Sequence, residues 1–80
     1  MEIKILAFGI TRDIIGSRDL ELSVEEETTV GGLKQALLKQ FPAFEELRSL
    51  SIAVNSEYAN DELEIQMNDE IVLIPPVSGG

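Results

Sequence analysis

The 80-residue chain contains no cysteine and no histidine. Without cysteine there is no disulfide, no thiol nucleophile and no zinc-thiolate site. Without histidine the usual general base at neutral pH and the commonest metal ligand are both missing. Basic residues are scarce: six Lys and Arg stand against fifteen Asp and Glu, a net charge of −9. Nucleic acid and anionic membrane surfaces are bound through clustered Lys and Arg, so neither partner is expected. The acidity favours solubility and docking onto basic protein surfaces. Long hydrophobic runs are missing too. The longest, Ile71–Pro76, is far too short to span a bilayer, and no signal-peptide pattern opens the sequence. A cytoplasmic protein is expected.

What is present suffices for one small domain. Hydrophobic residues make up 44% of the chain, too many for a disordered segment. A chain this short buries only about 60–65% of its unfolded surface, so its core must be efficient. There are no repeats, linkers or low-complexity tracts, and Glu25, Glu26 and Glu27 read as a solvated face.

In "EIKILAF", Ile3, Ile5 and Ala7 alternate with Lys4, Leu6 and Phe8, which predicts a strand. "LELSVE" repeats the pattern, with Leu20, Leu22 and Val24 on one side. The residues between them, "GITRDIIGSRD", fit the long connection of a hairpin, with Ile14 and Ile15 tucking back onto the core. The period then changes. Val30, Leu33, Leu37 and Phe41 recur at helical spacing; Thr28 or Thr29 can cap the start, and Pro42 stops the helix at Phe41. Gly31 and Gly32 weaken the first turn by up to about 1 kcal/mol each. No Gly-Lys-Ser/Thr follows them, so close packing against a neighbouring strand is expected and a phosphate loop is not.

"FEELRSL" reads as a helical turn or irregular crossover, "SIAV" as a strand, and "EYA" as a short edge piece after an Asn55-Ser56 turn. "ELEIQM" alternates through Leu63, Ile65 and Met67 but lies between turn residues, so it stays ambiguous. Asn68-Asp69 predicts a turn with Asn68 left-handed. "EIVLI" has the near-continuous hydrophobicity of a central strand buried on both faces. The order strand, strand, helix, strand, short strand, strand describes an α+β fold of the β-grasp type. It has a mixed sheet of four to five strands with one main helix on one face. Its first and last strands lie parallel and adjacent. The expected core is Ile3, Ile5, Leu22, Val24, Leu33, Leu37, Ile52, Val54, Ile65, Ile71 and Leu73.

Two strands carry a charge at the start of one face: Lys4 precedes Leu6 and Phe8, and Glu70 precedes Val72 and Ile74. That face is the outward one, and Leu6, Phe8, Val72 and Ile74 then form an apolar patch on the open side of the sheet. Such a patch on a small acidic protein is expected to be a partner interface, the alternative being that a loop covers it. Residues 1–74 are read as the domain and 75–80, "PPVSGG", as an extended tail. Pro75 and Pro76 stiffen its base and keep it out of the sheet. Six residues at about 3.3 Å each reach roughly 20 Å. Gly79 and Gly80 have no side chains, so the tip fits a channel only as wide as backbone. The arrangement suits delivery of a terminal carboxylate into another protein's pocket. An ionised carboxylate is a poor electrophile, and no residue of this chain can activate it. The chemistry must come from partners.

"NDEIVLIPPVSGG" resembles the end of the small, sulfur-carrying subunits of molybdopterin synthase, within the ubiquitin-like β-grasp superfamily. That family generally has Gly-Asp-Glu-Val, two or three apolar residues, then Pro-Pro-Val-Ser/Thr-Gly-Gly. Asn68 stands here where glycine is usual, and asparagine also tolerates the left-handed turn. "TRDIIG" is similar to the family's Arg-Glu-Leu-x-Gly stretch and "TVGGLKQAL" to its helix start. The resemblance implies that Gly80 is adenylated by a ubiquitin-activating-like adenylyltransferase and converted to a thiocarboxylate by a persulfide sulfur donor. The tail, through Pro75, Pro76, Val77, Ser78 and Gly79, then enters the synthase large subunit. Sulfur passes to a cyclic pyranopterin monophosphate to build the dithiolene that holds molybdenum, in a synthase expected to be a heterotetramer. It implies no catalytic residue of the chain's own, no metal, and no permanent cofactor; AMP and sulfur are carried transiently. Three other readings share the fold. A thiazole-forming sulfur carrier of thiamine synthesis generally lacks the Pro-Pro-Val-Ser/Thr run. A protein modifier joins lysines through Gly80. A plain adaptor needs only the patch.

Overall fold

The computed structural model describes residues 1–47 and 50–75. Period-two alternation yields β1 (Glu2–Ala7) and β2 (Asp19–Ser23), with a short helix α1 (Ile10–Ile15) between them. There follow α2 (Val30–Gln40), a 3-10 helix (Pro42–Glu46), β3 (Ser51–Val54), β4 (Glu57–Tyr58) and β5 (Ile71–Ile74). The strands form one sheet in the order β2-β1-β5-β3-β4. β1 and β5 run parallel, and the other pairs are antiparallel. This is the expected β-grasp arrangement. β5 is central, but only its Ile71 and Leu73 face is fully covered; Val72 and Ile74 are half-buried, so the expectation of burial on both faces is corrected.

α2 begins where the sequence offers a cap. The Thr29 hydroxyl accepts from the Gly32 N–H at 3.1 Å. The N–H groups of Val30 and Gly31 have no partner inside the helix, and they donate to the carbonyls of Leu63 and Asp61 at 2.8 and 2.9 Å. A Cβ on Gly31 would stand 3.2 Å from the Asp61 carbonyl oxygen. The close packing expected at this glycine is real, but its neighbour is the 60–65 loop and not a strand. The helix stops at Phe41, which is extended (φ −127°, ψ 82°) ahead of Pro42.

Val30, Leu33 and Leu37 of α2 meet Ile3, Ile5, Ile52, Ile65, Ile71 and Leu73 in a single core, which Phe44 closes. Full burial of each large aliphatic side chain contributes about 1.5–3 kcal/mol. Leu22 in β2 and Val24 just past its end are only half-buried, because β2 is an edge strand and lacks a neighbour on one side. "ELEIQM" does not become a strand. Ile65 is buried, whereas Leu63 and Met67 are 43% and 64% exposed, and the segment makes one isolated bridge, Thr29 to Glu64. Its backbone is committed to the start of α2 instead. The open hairpin connection expected over residues 9–19 contains α1, flanked by Gly9 and by a left-handed Gly16 at φ 85°. Ile14 and Ile15 pack back onto the core as expected.

Asn55 and Ser56 both have positive φ (54° and 71°), the geometry of a two-residue hairpin turn matched to strand twist. The Asn55 side chain also accepts from the Glu70 N–H at 2.9 Å and donates to Asp69 Oδ1 at 3.0 Å. It therefore ties the β3–β4 turn to the start of β5. Asn55→Ala loses both bonds and the left-handed preference. It is expected to lower stability by about 1–2 kcal/mol, read as a shifted urea midpoint at unchanged slope.

Candidate functional site

The sheet register assembles the open face residue by residue. Leu6 lies opposite Asp19 on one side and Val72 on the other; Val72 pairs with Ala53, and Ala53 with Tyr58. Paired residues point to the same side of a sheet, so this row crosses all five strands on the face that α2 does not cover. Ile74 continues β5 beyond the row, opposite Ser51. Phe8 stands just past β1 and is 46% exposed. Leu6, Val72 and Ile74 are half-buried. Tyr58, 75% exposed, extends the apolar row beyond the four residues legible in the sequence.

The opposite end of the face is acidic. An open groove of about 550 Å³ there is lined by Glu2, Asp19, Glu21, Asp69 and Glu70, with Lys4 among them. Five carboxylates around one ammonium repel a phosphate, so this groove is unsuited to a nucleotide. Among the described residues no group of three or more acidic side chains is placed to hold a metal ion.

Phe8 is held by a turn. Its N–H donates to the Thr11 hydroxyl at 3.0 Å, and that hydroxyl donates back to the Phe8 carbonyl. Thr11 is fully buried. Between them Gly9 takes φ 58°, ψ −134°, and the Pro75 ring lies against it. The root of the tail thus emerges beside the apolar end of the face. Of the tail residues, Pro75 is half-buried; Pro76, Val77, Ser78, Gly79 and Gly80 lie outside the described residues.

A family model described as the ThiS family matches residues 5–80. The chain belongs to the ThiS family. A curated relative, the molybdopterin synthase sulfur carrier subunit of Arabidopsis thaliana, is 40% identical over 81 residues. That alignment covers all of this chain and 84% of the relative. Among solved structures, SAMP1 from Haloferax volcanii is 28% identical with a TM-score of 0.83, and the match covers both chains completely. A complex of subunits 1 and 2 of molybdopterin-converting factor from Helicobacter pylori contains a chain 25% identical, with a TM-score of 0.67 and full coverage of both. The ThiS family match runs through the last residue, so the tail belongs to the shared pattern along with the fold.

Proposed function

We propose that this ThiS family chain is the sulfur-donating small subunit of molybdopterin synthase, with sulfur carried as a thiocarboxylate on Gly80. The full-length 40% identity to a protein named as a sulfur carrier subunit carries the reading. The structure supports it in two ways. The root of the tail sits beside an apolar face that a partner can cover, and the acidic groove leaves nucleotide binding to another protein.

Activation begins when a Gly80 carboxylate oxygen attacks the α-phosphate of ATP in a ubiquitin-activating-like adenylyltransferase and pyrophosphate leaves. The adenylate is a better acyl donor than the carboxylate. A persulfide's terminal sulfur displaces AMP, and a thiol then breaks the sulfur–sulfur bond to leave the thiocarboxylate. Docked on the large subunit, the thiocarboxylate sulfur displaces an oxygen from a side-chain carbon of cyclic pyranopterin monophosphate. Water then cleaves the acyl–sulfur bond, leaving sulfur on the pterin and a carboxylate on Gly80; two loaded chains supply the two sulfurs of the dithiolene. Sulfur rides on the chain end because the chain has no thiol. Among the described residues no helix is long and apolar enough to cross a membrane.

The test is pterin sulfuration by chemically thiocarboxylated chain and purified large subunit. Dithiolene product is expected, one sulfur per chain consumed, and no product from loaded chain overturns the reading. A second reading is favoured by the likeness to SAMP1, a small archaeal modifier protein. In that reading Gly80 is joined to lysines, and isopeptide-linked targets recovered from cells distinguish it.

A further inference from the structure

We propose that Thr11 is a positioning residue: its buried hydroxyl fixes the backbone of Phe8 and so aims the exposed aromatic ring used in docking. This rests on the reading above, in which the large subunit covers the open face. Among the described residues Thr11 is the one polar residue that is fully buried. A buried hydroxyl is costly unless it is hydrogen-bonded. Both bonds that it makes among those residues go to a single neighbour. It accepts from the Phe8 N–H at 3.0 Å and donates to the Phe8 carbonyl. The Thr11 N–H donates to that same carbonyl at 3.2 Å.

Phe8 needs such a hold because the sheet does not supply one. β1 ends at Ala7, and the register that sets the direction of Leu6 and Ala7 against β5 stops there. Gly9 then turns the chain, with φ 58° and ψ −134°, and brings Thr11 back against Phe8. The N–H of a residue precedes its φ bond and the carbonyl follows its ψ bond. One oxygen atom bound to both therefore fixes the two angles that aim Cβ. With 46% of Phe8 exposed, the direction of its ring depends more on this backbone than on enclosure by neighbours. An anchor that is already aimed costs a complex less ordering than one that is free to turn.

The experiment titrates purified large subunit with full-length wild-type, Thr11→Val and Thr11→Ser chains, each with and without Phe8→Ala. Every variant keeps the same tail, so the comparison isolates the turn. Thr11→Val keeps nearly the same shape and loses both hydroxyl bonds, whereas Thr11→Ser can make both. If the freed turn aims Phe8 correctly about a tenth to a fifth of the time, Kd for Thr11→Val rises about five- to tenfold. Thr11→Ser is expected within about twofold of wild type. With Phe8→Ala in place, the effect of Thr11→Val should also fall to within about twofold, because the hydroxyl acts through that ring. Amide relaxation gives a second readout: the Phe8 order parameter should drop from about 0.85 to below about 0.6 in free Thr11→Val. If Thr11→Val does not fold, Thr11→Ala loses the same two bonds and takes its place. Wild-type affinity, an equal loss with and without the Phe8 ring, a serine variant as weak as the valine one, or an unchanged order parameter overturns the positioning role. A wild-type chain that does not bind the large subunit overturns the function instead.

Discussion

Deleting Gly80, or adding one residue after it, is expected to abolish adenylate formation by about a hundredfold or more while leaving the melting temperature at the wild-type value. Among the described residues the buried core ends at Leu73, seven positions before Gly80, and a change at the chain end is expected to leave it intact. In the proposed activation, by contrast, the adenylating enzyme has to align a carboxylate oxygen with the α-phosphate of ATP. One residue shifts that oxygen by about 3.3 Å, and any residue but glycine also widens the tip. Sulfur transfer should fail with adenylation, because the proposed mechanism uses the same tip for both steps. The assay is AMP formation followed by sulfur loading. A Gly80-deleted chain that accepts both at wild-type rates shows that the terminal glycine is not the reactive group.

The second large effect belongs to the open face. Phe8→Asp is expected to weaken binding to the large subunit by about 2 kcal/mol or more, roughly thirtyfold in Kd, with the fold retained. Phe8 is 46% exposed, so its loss costs the free domain little, whereas a carboxylate in a desolvated contact costs the complex its anchor. Ile74→Asp should weaken binding similarly but also lower stability, since Ile74 is half-buried. Tyr58→Asp extends the test across the sheet. Unchanged affinity in calorimetric titration of the folded Phe8 and Ile74 variants removes the face from the interface.

Most of this fold was written in local pattern. Alternation around Lys4 and Glu70 told which sides of β1 and β5 face outward, because a charge at the head of a strand face cannot be buried. Thr29 and Pro42 marked the ends of α2 through two independent constraints, a side-chain cap and a forbidden backbone region. α1 was not legible. Six residues make fewer than two turns, too short a span for a helical period to stand out, and the glycines at its ends read as part of a loop. Leu63, Ile65 and Met67 stayed ambiguous for a different reason. Their alternation is genuine, but the backbone of that loop is spent on the first N–H groups of α2, so no ladder forms. Leu22 and Val24 fell short of full burial because a pattern of alternation does not say which strand stands at the edge. At the site, Leu6, Phe8, Val72 and Ile74 followed from parity. Tyr58 did not, since a two-residue strand carries no period, and the Gly9–Pro75 contact joins residues too far apart in sequence for any local signal.

The most direct measurement is the intact mass of the chain purified from its own cell, before and after treatment with a thiol-alkylating reagent. The chain has no cysteine, so such a reagent has one proposed target, a thiocarboxylate. A gain equal to one sulfur-for-oxygen exchange is predicted, converted by the reagent to a single adduct that fragmentation places on Gly80. A chain that carries neither the exchange nor an adduct, even when recovered with its activating enzyme and sulfur donor active, contradicts the account.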